Sequence, residues 1–104
     1  KFGQSSKFKN YFGQLDKDGH VNGIGRYIIN NGTIYEGQIF NYQMCGYGRY
    51  IYTNGDYYVG QFVKNKKNGL GKYVFSRSGK VHDGKWVNDK FVGTKDNQYT
   101  LTSQ

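Results

Sequence analysis

The sequence predicts an all-β protein, an elongated single-layer antiparallel meander of stacked β-hairpins. Three observations predict it. A unit of 23 or 24 residues recurs as three full copies and one partial copy. Within each unit the residues alternate with the two-residue period of a strand, and Asp/Asn/Ser-Gly pairs punctuate the units at turn positions. No stretch of ten residues carries a convincing 3.6-residue apolar period, because Gly, Asn and β-branched residues interrupt every candidate helix.

Residues 1–10 precede the first unit and read as a flank or partial repeat. The first unit, residues 11–34, runs YFGQLDKDGHVNGIGRYIINNGTI and carries one extra residue before Gly23. The second, residues 35–57, runs YEGQIFNYQMCGYGRYIYTNGDY; the third, residues 58–81, begins YVGQFVKNKKNGLGKYVFSRSGK. A partial unit over residues 82–95, HDGKWVNDKFVGTK, repeats the first half. Each unit is therefore Y-x-G-[QK]-[LIFW], a loop, then G-x-G-[RK]-Y-[IV]-[IYF]. Residues 96–104 are polar and aperiodic, a tail or the start of a cap.

An extended chain places Tyr35, Gly37 and Ile39 on one face and Glu36, Gln38 and Phe40 on the other. Across the loop Gly46, Gly48, Tyr50 and Tyr52 oppose Tyr47, Arg49 and Ile51, so each unit is a hairpin. Asp18-Gly19, Asn31-Gly32, Asn54-Gly55 and Ser78-Gly79 supply turn chemistry. One face thus alternates large rings with glycines, and the rings are expected to lie over bare glycine backbone. Gly48→Val is expected to destabilise the fold by roughly 1–3 kcal/mol through overpacking.

Composition bounds function. The chain has 104 residues, one ordinary domain, and no apolar run long enough to span a bilayer, so a soluble domain is expected. Sixteen Gly, eleven Tyr, seven Phe and no Pro leave too few aliphatic residues for a thick two-layer core. Fifteen Lys and Arg against seven Asp and Glu give a net charge of +8, which favours acidic partners: nucleic acid, anionic lipid or an acidic protein surface. Cys45 is the only cysteine, so there is no disulfide framework and a reducing compartment is expected. The sequence begins at Lys1 rather than at methionine, which is expected of a piece of a longer parent. Asn31-Gly32-Thr33 matches a glycosylation sequon, by accident if the protein is cytosolic.

Local motifs lose their force once the repeat is seen. Gly46-x-Gly48 resembles the start of a phosphate loop, and GYGRYIY an RNA-stacking strand, but GIGRYII and GLGKYVF repeat the pattern with no helix-like segment behind any copy. Catalysis has no constellation to stand on: His20 and His82 lie in different units, and no C-x-x-C or paired-carboxylate pattern occurs. Asp16, Asp18 and Gly19 hint at calcium, but the other acidic ligands of a calcium loop are missing and turn chemistry accounts for them. No enzyme activity, cofactor or metal is expected.

The face opposite the rings carries the candidate binding residues. Arg26, Arg49 and Lys72 form one column, Gln14, Gln38, Gln61 and Lys85 a second, and Ile28, Ile51 and Val74 an apolar third, with Phe40, Val63 and Val87 at the far strand ends. From these, Arg26, Arg49, Lys72, Gln38, Gln61, Ile51, Phe40 and Val63 are the expected partner-binding set, weighed evenly against a merely solubilising face. Lys64, Lys66, Lys67 and Lys90 form a second basic cluster at a hairpin tip, expected to bind anionic lipid if a membrane is the partner.

These units resemble the MORN repeat (membrane occupation and recognition nexus), with its Y-x-G-x-[WF], polar loop, G-x-G and closing turn glycine, over about Tyr11 to Lys95. The departures are His82 for the leading tyrosine, Lys95 for the last unit's second glycine, and Gln14, Gln38, Gln61 and Lys85 where the family commonly has an acid. The resemblance implies a curved, single-layer meander that acts as a protein-interaction scaffold in cytoskeletal, ciliary or junctional assemblies. A cytoplasmic location goes with it, with the cytoskeleton, a cilium or the cytoplasmic face of a membrane as the places the resemblance implies. An acidic or amphipathic partner segment is the leading expectation, self-association and anionic membrane follow, and nucleic acid ranks last because the tyrosines do not share a face with the Arg/Lys column. The strands near Tyr11 and Trp86 are expected to lack neighbours.

Overall fold

The computed structural model describes residues 2–4 and 10–94. It contains nine strands: β1 (Phe2–Gln4), β2 (Tyr11–Leu15), β3 (Val21–Ile28), β4 (Ile34–Phe40), β5 (Gln43–Ile51), β6 (Tyr57–Val63), β7 (Lys66–Val74), β8 (Val81–Val87) and β9 (Lys90–Thr94). They form one sheet in chain order, every neighbour antiparallel, and there is no helix among the described residues. The four repeat units are the hairpins β2–β3, β4–β5, β6–β7 and β8–β9. The expected end positions of Lys95 and residues 96–104 lie outside the described residues.

One expectation is corrected at both ends. The strand of Tyr11 pairs with β1 and the strand of Trp86 with β9, so neither is an edge. Gly3 opposite Gly13 continues the same glycine register as the units that follow.

That register organises the fold. Gly3, Gly13, Gly25, Gly37, Gly48, Gly60, Gly71 and Gly84 face one another strand by strand, a bare row crossing eight strands. Beside it Tyr11, Tyr27, Tyr35, Tyr50, Tyr58, Tyr73 and His82 form a parallel row on the same face. Tyr11, Tyr35 and Tyr58 lean across the glycines of the following strand, where an added Cβ at Gly25, Gly48 or Gly71 would collide with their rings. Each of the three phenols then donates to the carbonyl three residues on: Tyr11 to Gln14 at 2.7 Å, Tyr35 to Gln38 at 2.6 Å and Tyr58 to Gln61 at 2.9 Å. The polar end of a buried ring is thereby satisfied at the backbone it covers. Tyr11, Tyr35, Tyr58, Ile39, Phe62, Trp86 and Val21 make the buried core, which is one side-chain layer on one face of the sheet.

His82 cannot make that reach and is held differently. Its ring stacks on Phe91 with centroids 4.6 Å apart and planes at 10°, while Trp86 Nε1 donates to Gly71 O at 3.0 Å and its indole stands 80° to the Tyr58 ring.

Turns follow two chemistries. Gly32 and Gly55 take φ of 96° and 94°, as the Asn-Gly pairs predict. The opposite hairpin ends instead use Asn41-Tyr42, Lys64-Asn65 and Asn88-Asp89, two-residue turns with positive φ at both positions and no glycine. These tips also tie the repeats together: Asn65 Oδ1 accepts from Met44 N at 2.8 Å and Asp89 Oδ1 from Lys67 N at 2.8 Å, in each case one unit back.

Asp56 performs the same task at the other edge. Its carboxylate accepts from Ser76 N at 2.8 Å and from the Tyr73 hydroxyl at 2.9 Å. Those bonds, led by the Ser76 N–H, hold the carboxyl below its ordinary value of 3.8. A group depressed on folding contributes stability above its unfolded pKa and loses it as pH falls through the folded one. Acid unfolding below pH 3.8 is therefore expected to be blunted in Asp56→Asn relative to the parent, measured by circular dichroism along a pH titration. Equal acid sensitivity in the two proteins would remove Asp56 from this role.

Candidate partner-binding face

Among the described residues no second layer covers the opposite face of the sheet, and its side chains stand in rows fixed by register. One row runs Ile28, Ile34, Ile51, Tyr57, Val74 and Val81 across β3 to β8 without a polar interruption. These six are half-buried to exposed, Val81 reaching 45 %. Sequence periodicity found Ile28, Ile51 and Val74 on the G-x-G strands; Ile34, Tyr57 and Val81 come from the flanking strands and join them only through pairing.

The next row carries the charge, in the order Phe12, Arg26, Glu36, Arg49, Val59, Lys72, Asp83. The expected cationic column is therefore interleaved with residues of the partner strands. Arg26 Nη2 reaches Glu36 Oε2 at 2.6 Å and Arg49 Nη2 reaches Oε1 at 2.9 Å. Hydrogen bonds from Arg49 first and Arg26 second hold the Glu36 carboxyl below its ordinary range. Both arginines keep more than half their side-chain surface exposed. Lys72 has no carboxylate within 4 Å among the described residues, although Asp83 is its register partner.

The third row holds Gln38 and Gln61, which the sequence marks as partner contacts. Their side-chain oxygens are already engaged: Gln38 Oε1 accepts from Tyr47 N at 2.7 Å and Gln61 Oε1 from Leu70 N at 2.6 Å, with Gln14 doing the same for Ile24 N. These bonds close the bulges that follow Gly37 and Gly60, where the ladder loses its regular register. An acceptor is what that place requires, which explains how glutamine stands in for an acid; Lys85 in the last unit has no acceptor to offer. Between the glutamines Ile24, Tyr47 and Leu70 project outward, 58 %, 62 % and 47 % exposed.

Phe40 and Val63 sit at the hairpin tips, 68 % and 49 % exposed, with Phe40 opposite Gln43, Val63 opposite Lys66 and Val87 opposite Lys90. Lys64, in its turn, and Lys66 and Lys90, at their strand starts, are exposed as expected. Lys67 departs from that cluster. Its side chain is 14 % exposed and turns to the ring face, where Nζ lies 5.7 to 5.9 Å from the Tyr52, Tyr58 and Trp86 ring centroids. It donates to the Tyr52 hydroxyl at 3.1 Å and pairs with Asp89 Oδ1 at 3.5 Å. Strand alternation puts Lys66 and Lys67 on opposite faces, and the negative faces of three rings retain the ammonium.

Asp16, Asp18 and His20 bring ligand-type atoms within 4.8 Å of one another. Asp16 Oδ1, however, accepts from Asp18 N and His20 N, both at 2.9 Å, and Oδ2 from Asn22 Nδ2 at 3.3 Å, the bonding of a turn. Cys45 is half-buried in β5.

A single sheet with an aromatic-glycine core on one face and row-ordered side chains on the other defines a β-hairpin repeat protein. The MORN repeat model matches residues 35–57, 58–80 and 82–94, more than half of the chain, and the protein belongs to the MORN-repeat family. Residues 11–34 lie outside those matches yet form the same hairpin with the same glycine and tyrosine register. MORN repeats are a non-enzymatic repeat type associated with protein and membrane interactions. No curated protein sequence matches the chain.

Proposed function

We propose that this chain is a non-catalytic interaction scaffold that docks an acidic, amphipathic segment of a partner protein, in a cytoplasmic assembly of the cytoskeleton, a cilium or a membrane junction. The observation that carries this reading is the apolar row from Ile28 to Val81, uncovered across six strands among the described residues and bordered by Arg26, Arg49 and Lys72. Apolar area supplies affinity and the cationic border supplies orientation and encounter rate. A second copy of this chain would bring together two chains of net charge +8, a like-charge repulsion that disfavours self-association relative to an acidic partner.

Ile51→Asp tests it, since a carboxylate in the middle of the row desolvates on binding while the side chain lies off the core. Affinity for the protein that co-purifies with the full-length chain is expected to fall by about tenfold or more, roughly 1.4 kcal/mol, with an unchanged circular dichroism spectrum. Undiminished affinity would discard this face as the docking surface.

A second reading, attachment to anionic lipid, is favoured by two hairpin tips, one pairing Val63 with Lys66 and the other Val87 with Lys90, with Phe40 and Lys64 also exposed at tips. Lys67, bonded on the ring face, does not contribute. Sedimentation with phosphoinositide vesicles at ~0.15 M salt, where charges screen over about 8 Å, separates the readings. Binding there that is lost in Lys66→Glu/Lys90→Glu would favour lipid; none would retire it.

A further inference from the structure

The repeat supplies its own template for a ligand. In the second unit Glu36 stands in register between Arg26 and Arg49, and its carboxylate is held by both, at 2.6 and 2.9 Å. One unit further on, the same place is occupied by Val59, in register between Arg49 and Lys72. Two cations thus flank an apolar residue where the preceding unit has an acid. Arg49 spends one nitrogen on Glu36, leaving the other donors of its guanidinium, and Lys72 has no carboxylate within 4 Å among the described residues.

The surface over Val59 is also hollow. Two adjoining depressions of ≈ 390 and ≈ 440 Å³ share Val59 and Lys72. The first is walled by Tyr47 and Leu70, with Asp83 beyond Lys72, and the second by Arg49, Ile51 and Tyr57. Together they make a trough along β6, floored at its centre by Val59 and the Gly60 and Gly71 backbone, with Arg49 and Lys72 on either side of Val59 outnumbering the single carboxylate of Asp83, and apolar at both ends. It is hollow because Val59 is short and Gln61 is turned aside to bond Leu70 N.

We propose that this trough receives a carboxylate side chain from a segment of the partner protein, seated between Arg49 and Lys72 as Glu36 is seated between Arg26 and Arg49, with an apolar residue on either side of it. The inference rests on the docking reading above and names the chemistry of its central contact. Charge-assisted hydrogen bonds to a guanidinium and an ammonium fix the carboxylate, and the Tyr47/Leu70 and Ile51/Tyr57 walls take the flanking side chains. The apolar walls at both ends favour a continuous peptide over a free anion.

The test uses the ¹⁵N-labelled chain and three probes: the capped peptides acetyl-Leu-Ser-Glu-Ser-Leu-amide and acetyl-Leu-Ser-Gln-Ser-Leu-amide, whose leucines share a face with the central residue when the peptide is extended, and inorganic phosphate. The glutamate peptide is expected to shift backbone amides of β5, β6 and β7 around Val59, and the glutamine peptide to bind about fivefold more weakly or worse. Val59→Glu, which returns the Glu36 arrangement to this unit, is expected to fold normally and no longer respond to the glutamate peptide. Should that variant fail to fold, Lys72→Gln must lower affinity for the glutamate peptide and leave the glutamine peptide unaffected. Equal affinity for the two peptides, or a response retained in folded Val59→Glu or in Lys72→Gln, would overturn the proposal. So would phosphate shifting the same amides as tightly as the glutamate peptide, which would make the trough a phosphate site. If the peptides fail to discriminate while Ile51→Asp still expels the partner, the docking face stands and only the carboxylate subsite falls.

Discussion

Tyr58→Ala is expected to cost about 3–5 kcal/mol, the range for deleting a buried aromatic ring, and to be the most damaging single truncation in the central repeats. Tyr58 is fully buried, at 0 % exposure. Its ring stands edge-on to Phe62 at 5.2 Å and to Trp86 at 5.3 Å, so one deletion removes contacts in two consecutive hairpins. With no second layer among the described residues to relax into the gap, the Gly60–Gly71 backbone that the ring covers would be bared. Tyr58→Phe separates the ring from its hydroxyl: only the bond to Gln61 O is lost, about 1 kcal/mol. Burial also pushes the Tyr58 phenol up to about 12, so its contribution is intact below pH 10.0 and lost as pH rises from there towards the folded value. Denaturant unfolding of the three proteins, at neutral pH and in the alkaline range, checks all of this. An alanine variant as stable as the phenylalanine variant would show that the ring is not a structural element.

Gly48→Val acts on the same contact from beneath. A Cβ on Gly48 would stand 2.6 Å from Tyr35 Cζ and nearer still to its Oη, while Tyr35 itself is fully buried. The ring cannot rise without giving up its 2.6 Å hydrogen bond to Gln38 O and its edge contact with Phe62 at 5.2 Å. The cost is expected at the upper end of the overpacking range, about 3 kcal/mol, or roughly 10–20 °C in melting temperature for a domain of this size. Gly19→Ala is a useful contrast, because nothing lies within 4 Å of its Cβ position and only its positive φ of 84° is violated. A smaller shift for Gly48→Val than for Gly19→Ala would mean that the glycine row serves turns and not ring clearance.

The ring face was readable residue by residue. Tyr35, Gly37 and Ile39 against Gly46, Gly48 and Tyr50 follow from alternation alone, and recurrence turns one ambiguous G-x-G into a packing rule. The hairpin tips were not equally legible. Asn41-Tyr42, Lys64-Asn65 and Asn88-Asp89 hold positive φ without glycine, a conformation paid for by inter-repeat bonds such as Asn65 Oδ1 to Met44 N, which no local signal reports. Lys67 was misplaced for a similar reason: read as one charge in a basic run, it is separated from Lys66 by strand alternation and drawn to rings that come from 52, 58 and 86.

The candidate site divides along the same line. Spacing by itself determined the repeat, the single layer, the ring face and the column to which Arg26, Arg49 and Lys72 belong, because each depends only on the two-residue period and the length of the unit. Tertiary structure decided what stands between those cations, since a row across an antiparallel sheet is filled alternately by the two strands of each hairpin and the register between them is set by bulges and turns. It placed Glu36 between Arg26 and Arg49 and Val59 between Arg49 and Lys72, turned Gln38 and Gln61 from free contacts into backbone acceptors, and joined Ile34, Tyr57 and Val81 to the apolar row.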